Sequence, residues 1–332
     1  MKAPAFWQSR PPSAFARLLQ PLGAVYGAAT VYRMGRPRID PGIPVVCVGN
    51  FTAGGAGKTP TAIMIARLLQ SHGERVIFLS RGYGGARRSS APLLVDSGRH
   101  DFREVGDEPL LLALAAPVVV GPDRAAAAKI ARTNGASILV MDDGLQSAAL
   151  RYVFSIAVVD AGAEFGNGLC LPAGPLRAPV KAQMRHVDAV LYIGEREISD
   201  VGGAAQFLAK MQPDPAVLAA LGQANCLAFA GIGRPEKFFA TLREHRIHVV
   251  ARRAFPDHHP YSPRDLQGLA QLALRGGLQL ITTEKDAVRL PLGWRLENNV
   301  RTVPITMHLA QEAAFSNLLF AAIDRYRACA QS

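Results

Sequence analysis

One stretch of the chain decides the fold: Gly49-Asn50-Phe51-Thr52-Ala53-Gly54-Gly55-Ala56-Gly57-Lys58-Thr59-Pro60. It follows a short apolar run rich in β-branched residues at 43–49 and precedes residues 61–70, whose apolar side chains recur at helical spacing. A strand, a glycine-rich turn and a helix in this order are the context of a phosphate-binding Walker A loop. Position 52 is Thr where the strict pattern has Gly, so the loop is a variant.

Each residue type in this loop has a chemical reason to be there. Glycines let backbone N–H groups turn inward around phosphate oxygens, and the start of the following helix adds a favourable dipole. Lys58 is placed to reach the β- and γ-phosphates, and the Thr59 hydroxyl can ligate Mg²⁺. We therefore predict ATP as the ligand, held by Thr52, Ala53, Gly54, Gly55, Ala56, Gly57, Lys58 and Thr59.

Alternating strand and helix patterns continue through the following residues, among them a predicted strand at 118–120 and a predicted helix at 124–133. This order predicts an α/β fold of the P-loop NTPase type, with a mainly parallel sheet flanked by helices. Composition changes near residues 202–215, after which further strands and helices suggest a smaller α/β lobe. We predict an N-terminal membrane-associating helix in residues 1–40, a P-loop core in residues 41–212, and a smaller C-terminal α/β lobe with a terminal helix in residues 213–332.

Acidic residues occupy positions at which a P-loop core binds a metal ion. Asp142 and Asp143 end an apolar strand, the position at which a Walker B acid holds Mg²⁺ directly or through water. With Thr59 they form the predicted metal site. Asp107 begins a helix and, taken alone, is an ordinary N-cap, while the pair Asp257-His258 is equally ambiguous alone.

The N-terminal segment is strongly basic. Residues 1–39 contain no Asp or Glu, and the whole chain has a net charge of +11. The apolar run at 18–32 is too short to span a bilayer but suits a helix lying on an anionic membrane surface. An ordinary helix packed on the core and a cleaved signal peptide are the alternatives. The basic residues of the segment are Lys2, Arg10, Arg17, Arg33, Arg36 and Arg38.

Several other function classes fit the sequence less well. A partitioning-type ATPase has Lys where this chain has Ala53, and a GTPase needs an [NT]-K-x-D element, whereas Thr283-Glu284-Lys285-Asp286 has another order. A P-loop switch ATPase and a P-loop kinase of a soluble metabolite remain alternatives. No basic patch is interleaved with aromatic residues, so we expect no nucleic acid partner. The four cysteines are scattered without a CxxC, which indicates neither a disulfide framework nor a zinc site.

Eight motifs follow one another along the chain: 49–60, Ser80-Arg81-Gly82-Tyr83-Gly84, Gly106-Asp107-Glu108-Pro109, Asp142-Asp143-Gly144, Pro172-Ala173-Gly174-Pro175-Leu176-Arg177, Gly233-Arg234-Pro235, Asp257-His258 and Thr283-Glu284-Lys285-Asp286-Ala287. Taken together, these motifs resemble the tetraacyldisaccharide 4′-kinase family of lipid A biosynthesis over nearly the whole chain. After Asp142-Asp143-Gly144 the family usually continues Phe-Gln-His, whereas this chain has Leu145-Gln146-Ser147, and Ala178 stands where a Glu is common.

The resemblance implies transfer of the ATP γ-phosphoryl group, with Mg²⁺, to the 4′-hydroxyl of a lipid A disaccharide 1-phosphate, forming lipid IVA. It implies a peripheral or monotopic enzyme on the cytoplasmic face of the inner membrane. Asp107 is then the base that accepts the hydroxyl proton and His258 its partner, with Lys58, Asp142 and Asp143 as further catalytic residues. The residues that the resemblance assigns to substrate are Asn50, Arg81, Tyr83, Arg124, Gln146 and Arg177.

Overall fold

The computed structural model describes residues 4–86, 91–195 and 202–331, so Lys2 of the basic segment lies outside the described residues. Nine strands of the described chain form one sheet in the order β13-β8-β7-β6-β1-β5-β2-β4-β3. The six inner pairings are parallel and the two outermost, β13 with β8 and β3 with β4, are antiparallel. The strands are β1 Val45–Asn50, β2 Val76–Ser80, β3 Leu93–Leu94, β4 Val118–Val120, β5 Ile138–Asp142, β6 Phe154–Asp160, β7 Ala189–Ile193, β8 Ala205–Pro213 and β13 Ile305–Leu309.

The central strands are apolar and buried along their full length, because helices cover both faces of a parallel sheet. The predicted α/β class with a mainly parallel sheet is confirmed. The helices associated with this sheet, after a short 3₁₀ turn at Ala5–Gln8, are α1 Ala14–Met34, α2 Lys58–Ser71, α3 Phe102–Val105, α4 Asp107–Leu112, α5 Arg124–Thr133, α6 Val180–Met184 and α12 Glu312–Gln331.

A second, parallel sheet of four strands has the order β10-β9-β11-β12. The chain leaves the large sheet after β8 and returns to it at β13. The two crossings run side by side, since the Asp214 N–H donates to the Pro304 carbonyl at 3.0 Å. The elements of this lobe are β9 Cys226–Ala230, β10 Val249–Ala254, β11 Gln279–Thr283, β12 Arg301–Val303, α7 Pro215–Leu221, α8 Pro235–Glu244, α9 Pro263–Gly276, α10 Glu284–Ala287 and α11 Leu292–Glu297.

The last helix packs on the large sheet. Phe315 of α12 meets Phe154 and Phe207 edge to face, with ring centroids 6.0 and 5.1 Å apart, and Leu319 and Ile323 are fully buried with it. The predicted lobe at 213–332 therefore differs from the structure in one respect: its last strand and helix complete the first sheet. The division of the chain at residues 40 and 212 otherwise remains a prediction.

Helix α1 has two different faces. Its inner face is built of small residues that allow close approach, since a Cβ placed on Gly23 or Gly27 would lie 2.7 Å from the Cys170 carbonyl oxygen or 3.0 Å from its Sγ. Its outer face exposes large apolar side chains at helical spacing. These are Phe15 (55% exposed), Leu18 (75%), Leu22 (60%), Val25 (70%) and Tyr32 (70%).

The packed face of α1 agrees with one alternative, a helix packed on the core, while a membrane-associating role for its exposed face remains a prediction. α1 packs on the body of the protein through one face, while the other is free to meet a second surface. Within residues 4–86, 91–195 and 202–331, no helix has the length and apolarity needed to cross a bilayer.

Candidate functional site

The glycine-rich loop joins the end of β1 to the start of α2. Gly57 caps the helix with φ 87°, and a Cβ there would lie 2.4 Å from Ile193 Cδ1, so only glycine fits. The first half of the loop pairs with residues 175–177: Ala53 N–H donates to the Pro175 carbonyl at 2.7 Å and Arg177 N–H to Phe51 at 2.9 Å. The amide of Ala53 is engaged in this way, and a role for Thr52 and Ala53 in holding ATP remains a prediction.

Behind the loop, the two consecutive aspartates have different partners. Thr59 Oγ1 donates to Asp142 Oδ2 at 3.5 Å. Asp143 instead accepts from both terminal nitrogens of Arg177, at 2.8 and 3.1 Å, and lies 3.8 Å from Lys58 Nζ. Asp143 also has a positive φ of 54° and begins the turn that follows β5. Asp142 therefore faces the hydroxyl at the start of α2, while Asp143 is paired with cations.

These surroundings move the two pKa values apart. Burial, and then the nearby Glu108 carboxylate, raise the pKa of Asp142 to about 7. Burial also favours the neutral form of Asp143, but Lys58 and Arg177 outweigh it and hold its pKa below the ordinary value. Asp143 is thus ionised at neutral pH, whereas a cation bound beside Asp142 would stabilise the ionised form of that carboxyl group.

The residues at this point fit Mg²⁺. Asp142 Oδ1 is buried and, among the described residues, has no hydrogen-bond partner, and Thr59 Oγ1 is close by. Magnesium prefers oxygen ligands, and proteins usually hold it through one or two side chains together with phosphate oxygens. An ion there would satisfy an oxygen that is otherwise unpaired.

Three further predicted residues surround the acids. Arg124 is 2% exposed, its Nη2 donates to the Asp142 carbonyl at 3.5 Å, and its Nε and Nη1 have no partner within the described chain. Gln146 donates to the Asn50 carbonyl at 2.7 Å and accepts from Arg177 Nη1 at 3.2 Å. Asn50 Oδ1 is likewise buried without a partner in the described part. The unpaired atoms of Arg124 and Asn50 therefore have bonding capacity to spare.

Asp107 and His258 meet although 151 residues separate them. His258 Nδ1 lies 2.8 Å from Asp107 Oδ2, and Lys285 Nζ lies 3.2 Å from His258 Nε2. An ammonium group can only donate, so Nε2 accepts from Lys285 and the Nδ1–H donates to Asp107. Burial favours neutral Asp107, but His258, Lys285 and Arg289 together hold its pKa below the ordinary value. Asp107, 4% exposed, is thus an ionised carboxylate held between the two sheets.

A buried cluster supports this contact from the second lobe. Asp286 accepts from the Gly231 N–H at 2.8 Å, the Tyr261 hydroxyl at 2.6 Å and Arg289 Nη2 at 2.6 Å. The His258 N–H donates to the Gly231 carbonyl at 3.1 Å. The loop that presents His258 is thereby fixed to the start of α10.

A cavity of about 320 Å³ opens beside the loop and the acids. It contains the predicted residues Arg81, Gln146 and Arg177, and α1 supplies part of its wall. Tyr83 is 64% exposed and does not line it, although the Tyr83 carbonyl adjoins Gly106, just before Asp107. The lining residues are Tyr26, Thr30, Arg33, Ala53, Arg81, Asp143, Gln146, Ser147, Leu171 and Arg177.

Three further residues belong to this arrangement, and no role was predicted for them from the sequence. Lys285 and Arg289 lie one helical turn apart in and after α10, and both act on Asp107 electrostatically. Glu108 raises the pKa of Asp142. The motif 283–287 was a signal for Lys285, but nothing in the sequence related it to Asp107.

Comparison with known proteins gives a consistent result. The family model described as tetraacyldisaccharide-1-P 4′-kinase matches residues 15–324. The tetraacyldisaccharide 4′-kinase of Methylobacterium nodulans is 50% identical over 321 residues, 95% of this chain and 94% of that protein. The one from Methylorubrum populi is 50% identical over 331 residues, 98% of this chain and all of that protein (100%).

A solved structure shares the fold. It is the crystal structure of LpxK from Aquifex aeolicus in complex with ATP, with a TM-score of 0.77 and 26% identity, covering 93% of this chain and 99% of that one.

Proposed function

The chain belongs to the tetraacyldisaccharide 4′-kinase family, and on that premise we propose that it transfers the γ-phosphoryl group of ATP to the 4′-hydroxyl of a lipid A disaccharide 1-phosphate. The observation that carries this proposal is the hydrogen bond of 2.8 Å between Asp107 and His258. It joins an ionised base from one lobe to its positioning partner in the other, and Glu108, the residue after the base, acts electrostatically on Asp142 behind the phosphate loop. A P-loop switch ATPase has no need of such a base, and family membership favours the kinase.

In the proposed reaction the 4′-hydroxyl oxygen forms a bond to the γ-phosphorus while the bond from that phosphorus to the bridging oxygen of ADP breaks. The hydroxyl proton passes to Asp107. Lys58, Arg124 and the N–H groups at the start of α2 stabilise the charge that spreads over the phosphoryl oxygens. Thr59 and Asp142 would hold Mg²⁺, which would neutralise part of the charge on the phosphates. The work of the protein is therefore to position the reactants and stabilise charge.

We assign the metal-facing role to Asp142 and a positioning role to Asp143. Asp142 lies beside Thr59 and has a buried oxygen free, whereas both oxygens of Asp143 accept hydrogen bonds from Arg177. Asp143 thereby fixes Arg177 beside the cavity and offsets the charge of Lys58. The sequence alone could not choose between these two neighbours.

Turnover of ATP with different acceptors tests the proposed function. ADP formation is compared with an acylated disaccharide 1-phosphate in detergent micelles, with soluble amino sugars and with DNA. We expect stimulation by the acylated disaccharide alone, with new phosphate on its 4′-oxygen. Equal turnover with a soluble sugar or with DNA would refute it in favour of one of the two alternatives.

The outer face of α1 supports a further proposal, that the protein lies on the cytoplasmic surface of an anionic membrane. The exposed stripe from Phe15 to Tyr32 is accompanied by basic residues such as Arg17 and Arg36. Burying apolar side chains at the acyl boundary and placing basic ones among anionic headgroups are both favourable. The acyl chains of the proposed acceptor would lie in the same layer.

Flotation with lipid vesicles tests this placement. Replacing Leu22 and Val25 by Glu places charge in the centre of the stripe, and we expect binding to anionic vesicles to weaken at least about tenfold. The control is Leu274→Glu in α9, because Leu274 is 85% exposed and far from α1 in the chain. Equal binding by the double variant and the control would assign membrane contact to another surface.

A further inference from the structure

The wall that α1 contributes to the cavity contains a cation with no role in the chemistry described so far. Arg33 lines the cavity together with Thr30 and Tyr26, and its Nη2 donates to Thr30 Oγ1 at 3.1 Å. Thr30 is 1% exposed, so it is a fixed support for the guanidinium. Within the described ranges, Arg33 has no carboxylate within salt-bridge distance, and its other donors are available.

The cations of the cavity divide into two kinds. Arg177 and Arg81 belong to the reacting end, since Arg177 is paired with Asp143 close to Lys58 and Arg81 helps to lower the pKa of Asp143. Arg33 comes from another element, and the small inner face of α1 holds that element close to the segment around Cys170. A ligand that fills the cavity can therefore meet the phosphate loop through one part and Arg33 through another.

We infer that Arg33 binds the phosphate that the acceptor already carries. Helix α1 would then recognise the substrate in addition to its proposed contact with the membrane. This inference rests on the proposed function. The acceptor of the family bears its phosphate on carbon 1 of one sugar and receives the new one on carbon 4′ of the other, so the two groups lie at opposite ends of the disaccharide. The fork of an Arg side chain suits a phosphate monoester, because it can donate two parallel hydrogen bonds.

The neighbouring surface agrees with this orientation. Tyr26 lines the cavity and is 38% exposed, next to Leu22 and Val25 of the exposed stripe. The polar interior of the cavity is thus continuous with an apolar surface along one helix. An acceptor with a phosphorylated sugar and acyl chains presents the same two chemistries side by side.

The test compares two acceptors in detergent micelles, where membrane attraction plays no part: the acylated disaccharide with and without its 1-phosphate. For Arg33→Gln we expect KM for the phosphorylated acceptor to rise about tenfold or more with little change in kcat, since one charge-assisted contact is lost. On the acceptor without the 1-phosphate, measured as a substrate or as a competing inhibitor, the variant and the wild type should be equal. Arg33→Lys keeps the charge without the fork and should be intermediate.

Arg275→Gln in α9 is the matched control, because it removes the same charge from an exposed residue outside the cavity. It should behave like the wild type with both acceptors. The inference is overturned if Arg33→Gln leaves KM unchanged, if it weakens both acceptors equally, or if Arg275→Gln has the same effect. Failure of the proposed function itself would appear differently, as a wild-type enzyme that does not phosphorylate the acylated disaccharide at all.

Discussion

Asp107 and His258 provide the sharpest test of the proposed chemistry, through the variants Asp107→Asn and His258→Ala and the double variant. His258 touches Asp107 at 2.8 Å, and we propose that it acts on the reaction only by orienting that carboxylate. If so, the losses in kcat from the two substitutions are strongly non-additive, because orienting residue 107 has no effect once that residue cannot accept a proton.

The structure sets the expected magnitudes. Asparagine preserves the shape of Asp107 and can still accept the Glu108 N–H, 3.0 Å from Oδ1, but it cannot take a proton. The loss in kcat should be about 100-fold to 10,000-fold, the usual contribution of a general base. His258→Ala removes one charge-assisted hydrogen bond, about 1.5–3 kcal/mol, and should cost about tenfold to a hundredfold. The double variant should be no slower than Asp107→Asn alone.

The pH profile gives an independent readout. Burial favours the neutral form of Asp107, and His258 is among the groups that oppose it and lower the pKa. In His258→Ala the pKa of Asp107 rises, so the acidic limb of the kcat profile should move to higher pH. Steady-state ADP release with the acylated acceptor, measured for all four proteins after circular dichroism confirms folding, decides the matter. Losses that multiply in the double variant would show that His258 has a role of its own and refute the reasoning.

Three other predictions concern the nucleotide site and its cations. Lys58→Ala should lower turnover at least about a hundredfold in a folded protein, since it removes a donor to the phosphates; lipid-dependent ADP formation is the measure, and near-normal activity would contradict it. Because ionised Asp142 favours the metal and its pKa is raised to about 7, Mg·ATP affinity should be about tenfold weaker near pH 6 than near pH 8, as measured by calorimetry. In Asp142→Asn, the part of the pH dependence of Mg·ATP affinity that Asp142 causes should disappear. A pH dependence equal to that of the wild type would show that it comes from the titration of ATP alone. The raised pKa of Asp142 also affects the melting temperature of the protein without Mg·ATP. Between about pH 4 and about pH 7 the folded state binds more protons than the unfolded chain, so the melting temperature should fall as the pH rises. In Asp142→Asn this fall should be smaller.

Much of the fold could be predicted because the local signals agree with one another. The predicted strand at 118–120 and helix at 124–133 have the same bounds in the structure. Strand β8, at Ala205–Pro213, was not predicted. It lies near the edge of the sheet, and only part of it is buried, so its composition resembled that of a linker.

Long-range contacts limit how much of the candidate site could be predicted from the sequence. Lys58, Thr59, Asp142 and Asp143 follow from a loop and a strand end whose geometry is common to P-loop proteins. The contact of Asp107 with His258 was implied by family resemblance alone, because a hydrogen bond across 151 residues leaves no local pattern. Arg33 stood out in the sequence only as one of several basic residues, and folding is what places it in the cavity wall.

The paired crossings between the two sheets have a consequence for biosynthesis. As the chain leaves the ribosome, the whole of the smaller lobe emerges before β13 and α12, which close one edge and one face of the larger sheet. Until then, the strands against which Phe315 packs present their apolar surface to solvent. The smaller lobe is therefore synthesised while the larger sheet is unfinished, and a chain interrupted before β13 would leave that apolar surface exposed and prone to aggregation.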